Sequence, residues 1–221
     1  WDGRMILKGL NPYLYLPETF INQGNLPINQ ATDLYSGMGA LNGSHYTNYP
    51  PINQLNFFIA ALFTNSSIIG SIIVLRLQII LADIGIIYFG KKILEKLKLP
   101  VHNIFLYALN PFIIIELTGN LHFEGVMIFF LIWSLYLLYS KKWMYAAIVF
   151  AFSVSVKLIP LLFLPLFYQW FVIKKKGSKI DFSIEKPKDF FPSSCKKKNG
   201  LPIVSSQKEP AQMHVIIFAE R

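Results

Sequence analysis

Long apolar blocks alternate with short basic clusters between Ile52 and Ile173, whereas the sequence on either side is polar. A run of roughly 18 or more apolar residues is typical of a membrane-spanning helix. The pattern predicts five membrane-crossing stretches, at 68–90, 103–118, 120–140, 143–156 and 158–173. The block at 52–64 is too short to span and is expected to lie at the interface. We therefore predict an all-α fold, a polytopic transmembrane helix bundle.

The basic clusters orient these stretches. Lysines at 91–98, 141–142 and 174–176 all fall on one side when the stretches alternate in direction. Cytoplasmic loops of membrane proteins are enriched in lysine and arginine. We therefore expect these clusters on the cytoplasmic side, and residues 1–51, the turn 118–122 and Lys157 on the opposite face.

The two flanks complete a three-part organisation. Residues 1–51 are rich in Asn, Gly, Pro and Tyr, which predicts a long, ordered extracytoplasmic loop with room for one short helix. Residues 52–173 form the predicted transmembrane bundle. Residues 174–221 are polar, basic and full of helix breakers, which predicts a disordered tail. The chain begins at Trp1 rather than Met, so we expect further sequence, including a first membrane helix, upstream.

Composition narrows the possible partners. The chain is 53% hydrophobic and 15% charged, whereas soluble domains average about 25% charged residues. The net charge of +9 is concentrated in the tail, where basic residues are not interleaved with stacking aromatics. We therefore expect membrane lipid and not nucleic acid as a partner. The single Cys195 excludes an internal disulfide and a cysteine-based metal site, and no metal site is predicted.

Two polar positions between apolar blocks are candidates for chemistry. The turn LTGNLHFEG at 117–125 places His122 and Glu124 close to Glu116. These side chains either face water on a simple hairpin or line a pocket for a hydroxylated ligand. Lys157, between two apolar blocks, either extends to the interface or binds a lipid phosphate.

Two further charges lie inside the first predicted span. Arg76 and Asp83 are seven residues apart and therefore share one helical face. Their structural interpretation is that each pairs with a neighbouring helix. Their functional interpretation favours a multi-pass transporter or flippase, because transporters place ionisable groups within the membrane.

Several segments carry a family resemblance. The N-terminal WDGR, the following KGLNPY, and YPP with Gln54 resemble the first extracytoplasmic loop of GT-C-type membrane glycosyltransferases. The segments ALNPFIIIELTGNLHFEG and FSVSVKLIPLLFLP resemble later segments of the same enzymes. The resemblance is closest to polyprenol-phosphate-mannose-dependent mannosyltransferases and extends in order from residue 1 to about residue 173.

The resemblance implies an activity. It implies transfer of a hexose, with mannose the first choice, from a polyprenyl-phosphate sugar to a glycan or lipid acceptor, without a cofactor. It also implies an integral protein of the bacterial inner membrane. In such enzymes the base is a carboxylate just upstream of the tryptophan, and Asp2 is the nearest carboxylate in this chain. Arg4 and Lys157 would contact the donor phosphate. The implied sugar- or acceptor-binding residues are Asn11, Tyr13, Tyr49, Gln54, His122 and Glu124.

Overall fold

The computed structural model describes residues 1–64, 67–165, 171–176 and 179–184. The helical fold class is confirmed over residues 1–163. The remainder of the predicted tail, residues 177–178 and 185–221, lies outside the described residues.

The N-terminal segment is more helical than predicted. It contains α1 (Asp2–Leu7), a 3-10 turn (Pro12–Leu14), α2 (Pro17–Gln23) and α3 (Ala31–Gly43), so the expectation of a loop with one short helix is wrong. Local signals explain where α2 lies: Pro17 begins it, and Gly24 ends it with a left-handed φ of 69°. The apolar residues are too sparse to show helical periodicity, but Met5, Ile28 and Ala31 form a small buried core.

Two helices follow. Helix α4 (Pro51–Thr64) packs on α1, α5 and α8. Helix α5 (Ile68–Leu97) has 30 residues, which corresponds to a length of about 45 Å. It therefore extends into the KKILEKLK cluster, whereas the sequence pattern predicts that the helix ends at residue 90.

The predicted span at 103–118 is broken. A 3-10 turn (Val101–Ile104) and α6 (Phe105–Ala108) are followed, after a 60° bend, by a π-helix (Ile113–Gly119). Pro111 lies in the break and cannot donate a backbone hydrogen bond. The Asn110 side chain accepts from Phe112 N instead, at 3.0 Å.

The last apolar blocks differ in their secondary structure. Helices α7 (Glu124–Tyr139) and α8 (Trp143–Val156) form as predicted. The block at 158–173 is not a continuous helix: a 3-10 turn (Ile159–Phe163) precedes strand β1 (Phe171–Lys176). Pro160 and Pro165 oppose a regular helix here. Strand β2 (Lys179–Ile184), predicted as part of a disordered tail, pairs antiparallel with β1.

The main core lies where α5, α7 and α8 meet. It contains buried Ile79, Ala82, Val126, Met127 and Val156, together with Phe123 before α7. Buried hydroxyls also join α7 to α8, because Ser134 donates to Ala146 O and Ser153 donates to Met127 O, each at 2.8 Å. Such small polar contacts are common between helices in membranes.

Among the described residues, α5 alone is long and apolar enough to cross a membrane. Counting the bent pair Val101–Ala108 and Ile113–Gly119 as one broken span gives two. Helices α7 and α8 are apolar but shorter, with 16 and 14 residues. The multi-pass topology therefore stays a prediction.

The bundle has two distinct ends. At one end, Lys92 and Lys96 of α5 lie over the ring of Tyr136 near the end of α7. Near the other end, Arg76 donates to Gly119 O at 3.0 Å and the Phe57 and Phe123 rings meet. The N-terminal helices, the turn before α7 and Lys157 thus share one end.

Candidate active site

A cavity of about 920 Å³ lies between the N-terminal helices and the adjoining parts of α4 and α5. Its apolar walls include Leu34, Met38, Ala60 and Leu75. Convergent polar groups interrupt them, which is the usual composition of a ligand pocket. The polar and titratable side chains in the lining include Asp2, Arg4, Asn42, His45, Thr47, Tyr49 and Ser71.

Asp2 is held by a neutral partner. Its Oδ2 accepts a hydrogen bond from Gln54 Nε2 at 2.7 Å, and the same nitrogen donates to Thr47 Oγ1 at 3.1 Å. The contact requires α1 and α4 to approach closely at Gly3, where a Cβ would lie 2.0 Å from Phe57 O. Glycine at this position therefore allows the Asp2 carboxylate to reach α4.

Gln54, which we predicted to bind sugar or acceptor, contacts Asp2. Only 4% of the residue is exposed, and it does not line the cavity. Its amide instead orients the carboxylate of Asp2. The sequence pattern could not distinguish these roles, because the partners Asp2 and Gln54 are 52 residues apart.

Arg4 is buried, with 6% of the residue exposed, and it lines the cavity. One guanidinium nitrogen, Nη1, donates to Asn29 O at 2.9 Å and to Gln30 Oε1 at 3.2 Å. The other, Nη2, has no hydrogen-bond partner among the described residues. Burial lowers the pKa of Arg4, but a guanidinium remains charged in proteins. The residue thus brings a fixed positive charge to the wall of the cavity.

Asn11, Tyr13 and Tyr49, three of the residues predicted to bind sugar or acceptor, have different positions relative to the cavity. Asn11 caps the 3-10 turn by accepting from Tyr13 N at 3.0 Å. The Tyr13 hydroxyl donates to Tyr49 O. Tyr49 lines the cavity, whereas Asn11 and Tyr13 do not. Asn11 and Tyr13 therefore shape the chain that presents Tyr49.

His45 lines the cavity but was absent from the predicted site. Its Nδ1 lies 2.6 Å from Leu41 O. Because a carbonyl oxygen only accepts, a neutral ring carries its proton on Nδ1, which leaves Nε2 as an acceptor. A sequence signal for His45 exists, because it lies just before the YPP motif in HYTNYPP, which also contains Thr47.

A second cluster lies outside the cavity lining. Lys157 Nζ donates to Glu124 Oε1, and the two side chains are 30% and 26% exposed. The ring nitrogens of His122 lie 3.7 Å from Glu124 Oε2 and 3.9 Å from Glu116 Oε2. Asn120 also donates to Glu116, at 3.0 Å. The polar side chains in and beside the turn 118–122 therefore contact one another and Lys157, and we call this group the ionic cluster; His122 and Glu116 also face water, with side chains 51% and 43% exposed.

An aromatic chain connects the cavity to this ionic cluster. The Tyr49 and Phe57 rings meet edge to face at 5.1 Å, and Phe57 meets Phe123 at 5.6 Å. Phe123 lies between His122 and Glu124 in the sequence. The two polar sites thus belong to one end of the molecule, but the lining of the cavity does not include His122, Glu124 or Lys157.

Arg76 and Asp83 have the predicted structural role. Arg76 donates to Gly119 O, and Asp83 accepts from the Tyr107 hydroxyl at 2.8 Å and from Thr118 Oγ1 at 2.9 Å. These bonds join α5 to the bent segment that follows it. The prediction that each pairs with a neighbouring element is confirmed.

Comparison with known families identifies the chain more closely. Neither the curated proteins nor the solved structures contain a significant match. The family model described as alpha-(1->6)-mannopyranosyltransferase, N-terminal domain, matches residues 1–174. This match covers both polar sites and confirms the predicted resemblance to GT-C-type mannosyltransferases. The chain therefore belongs to the alpha-(1->6)-mannopyranosyltransferase family, of which it carries the N-terminal domain.

Proposed function

We propose that this chain transfers a mannosyl group from a polyprenyl-phosphate donor to a hydroxyl of a glycan or lipid acceptor, at the cavity beside α1. The family match over residues 1–174 carries the proposal, because it makes mannosyl transfer the chemistry that the cavity must serve. By analogy with the family description, the acceptor group is a 6-hydroxyl of mannose.

The cavity contains groups suited to this reaction. The acceptor oxygen must lose a proton as it attacks the anomeric carbon, and the bond from that carbon to the donor phosphate breaks with its electron pair leaving on the phosphate. A carboxylate can accept the proton. Asp2 is the candidate, because a neutral amide holds it without neutralising its charge.

Cations would stabilise the departing phosphate. Arg4 supports this role with a guanidinium that lines the cavity and has an unpaired nitrogen within the described part of the chain. Lys157 is already bound to Glu124. A donor phosphate reaching Lys157 would therefore have to exchange with that carboxylate, which makes Arg4 the stronger candidate of the two.

The location of the substrates follows from the same proposal. A polyprenyl chain stays in the membrane, so the site would lie where lipid and water meet. We accordingly place the protein as a multi-pass protein of the bacterial inner membrane, with the cavity facing the extracytoplasmic side. His122 and Glu124, as members of the ionic cluster, would bind sugar hydroxyls there. No cofactor is assigned to the reaction.

The transporter alternative depended on Arg76 and Asp83. Both side chains are engaged by polar groups of the protein itself, as described above. The described residues therefore offer no specific observation in favour of a transport site there.

The test is mannosyl transfer in membranes that contain the chain, with a labelled mannosyl polyprenyl phosphate and an α-mannoside acceptor. Asp2→Asn should reduce the initial rate by about a hundredfold or more, the range of one general base. Arg4→Gln should reduce it strongly as well. The exposed Asp33→Asn and Lys8→Gln are controls, because neither residue lines the cavity. Full activity of Asp2→Asn would assign the base elsewhere, and absence of transfer by the parent chain would contradict the proposal.

A further inference from the structure

The end of the bundle away from the cavity carries a cationic surface that the proposed reaction does not use. Residues 91–98 contain four lysines and one glutamate, and α7 is followed by Lys141 and Lys142. Two of these lysines, Lys92 and Lys96, lie where the last turns of α5 and α7 meet, at a place that we call the groove.

Two ammonium groups converge on one ring in this groove. Lys92 Nζ lies 4.4 Å from the centroid of the Tyr88 ring and 5.7 Å from that of Tyr136. Lys96 Nζ lies 5.3 Å from the same Tyr136 ring. The two lysines are one helical turn apart on α5, so their charges lie on one face.

The charges remain available for a ligand. The ion pairs between described residues involve His122, Glu116, Glu124 and Lys157, and none includes Lys92 or Lys96. Glu95 is the nearby carboxylate on the same helix and interacts electrostatically with Lys92 without an ion-pair contact. A side-chain hydrogen bond also joins Lys92 to Tyr88, and aromatic faces position both ammonium groups by cation–π attraction. Neither contact neutralises the charges.

The chemical character of the surface beside the lysines changes along the axis of α5. Ile84, Tyr88 and Lys92 follow one another at intervals of four residues, and Ile84 and Tyr88 are more than half exposed. The Tyr88 ring meets the Phe89 ring edge to face at 5.0 Å, and Phe89 stacks on Trp133 at 5.5 Å. Within about 12 Å of helix, the surface therefore changes from aliphatic to aromatic to cationic.

We propose that this groove binds the headgroup of an anionic phospholipid, with the phosphate between Lys92 and Lys96 and the acyl chain beside Ile84. The gradient matches the order of acyl chain, interface and phosphate in a lipid, and basic pockets between helices recognise such headgroups. The aromatic rings fit the interfacial layer, where Tyr and Trp are enriched. This site is independent of the mannosyl-transfer proposal.

The test measures lipid retention by the full chain purified in neutral detergent. Phosphatidylglycerol and phosphatidylcholine with identical acyl chains are titrated, and bound lipid is counted by native mass spectrometry. The parent should bind phosphatidylglycerol more tightly than phosphatidylcholine, by about tenfold or more. Raising the salt concentration should reduce this preference, because mobile ions screen exposed charges.

Charge-matched variants locate the site. Lys92→Gln with Lys96→Gln should abolish the preference for phosphatidylglycerol, whereas Lys92→Arg with Lys96→Arg should keep it. The control, Lys91→Gln with Lys98→Gln, removes the same charge from the same helix end and should change the affinity by less than about threefold, as expected for exposed charges. An equal loss in the control would show general charge attraction and overturn the site.

Two outcomes with the parent chain would also overturn the proposal, even if a variant failed to fold. The first is a phosphatidylglycerol preference that does not exist or does not respond to salt. The second is complete displacement of phosphatidylglycerol by an equal concentration of inorganic phosphate, which would assign a free-phosphate site instead.

Discussion

Two carboxylates at the same end of the molecule are held in opposite ways. Asp2, in the cavity, accepts from the neutral amide of Gln54. Glu124, in the ionic cluster, binds the ammonium of Lys157 with His122 beside it. An amide orients a carboxylate and leaves its negative charge in place, whereas an ammonium largely cancels that charge. The difference explains why the cavity carboxylate is the better candidate for accepting a proton.

The cations of the two sites also differ. Arg4 has an unpaired nitrogen within the described residues, whereas Lys157 is paired. In the free protein, the cavity thus has a carboxylate and a guanidinium that do not bind each other. In the ionic cluster, Glu124 and Lys157 are already paired with each other. This contrast favours the cavity as the proposed ligand site. In the ionic cluster, the Glu124–Lys157 pair either stabilises the fold or exchanges its partner for a ligand.

The largest effect on stability is expected where α1 contacts α4, a change that disturbs the cavity and leaves the ionic cluster in place. Gly3→Ala would place a methyl group 2.0 Å from the carbonyl oxygen of Phe57, so α1 must move away from α4. Overpacking of this kind typically costs about 1–3 kcal/mol, and the upper part of that range is expected because backbone atoms clash. The measurement is the thermal unfolding midpoint in detergent, with mannosyl transfer assayed in parallel.

Gly37→Ala is the matched control, because a Cβ at Gly37 meets nothing within 4 Å. It should be neutral or slightly stabilising, since alanine is the better helix former. Equal destabilisation by the two variants would show that the close α1–α4 approach does not hold Asp2 in place.

The next effect acts on the ionic cluster. Lys157→Met leaves the Glu124 carboxylate without its cation. The other oxygen of that carboxylate, Oε2, is already buried without a hydrogen bond. We expect a loss of about 1–2 kcal/mol, below the 3–5 kcal/mol typical of fully buried pairs, because both side chains are partly exposed. The protein should stay folded, since domains have roughly 5–15 kcal/mol of stability.

A double-mutant cycle with Glu124→Gln isolates that ion pair. The double variant should recover at least half of the stability that Lys157→Met loses, because no uncompensated charge remains. Strictly additive losses in chemical unfolding experiments would show that the two side chains do not interact energetically.

A smaller effect on stability should accompany a larger effect on activity at Gln54. Gln54→Leu removes the amide that orients Asp2 and should cost about 1 kcal/mol of stability. If Asp2 acts as the base, the rate of mannosyl transfer should fall further than the fraction of folded protein does. Thr47→Val, which removes only the second contact of Gln54 Nε2, should have a milder effect on the rate. Unchanged activity in Gln54→Leu would contradict the positioning role.

The smallest effect is expected at His122. Its side chain is 51% exposed and its carboxylate neighbours lie 3.7 and 3.9 Å away. His122→Gln should therefore change stability by less than about 0.5 kcal/mol, the range of exposed ion pairs. A loss above 1 kcal/mol, measured by chemical unfolding, would show that His122 holds the ionic cluster together rather than lying at its edge.

The sequence determined those features that depend on neighbouring residues. The apolar blocks predicted α5, α7 and α8, and the basic clusters after α5 and α7 predicted that the ends of these two helices lie together. The ordered motifs predicted the mannosyltransferase family. The failures also had local signals: Pro111 interrupts the block at 103–118, and Pro160 opposes a regular helix in the last apolar block. Apolar composition alone predicts continuous helices through these prolines, whereas the missing backbone donor and the ring of proline oppose them.

Only the tertiary structure decided how the motifs divide between two sites. Residues 52 positions apart join in the Asp2–Gln54 contact, and residues 33 positions apart join in the Lys157–Glu124 contact. The sequence pattern treated Gln54 as a ligand-binding residue and Lys157 as a cation for the donor. Burial made Gln54 a support for Asp2, and the approach of α8 to α7 gave Lys157 a carboxylate partner. Residue type specifies what a group can bind, but helix packing decides which partner it meets first.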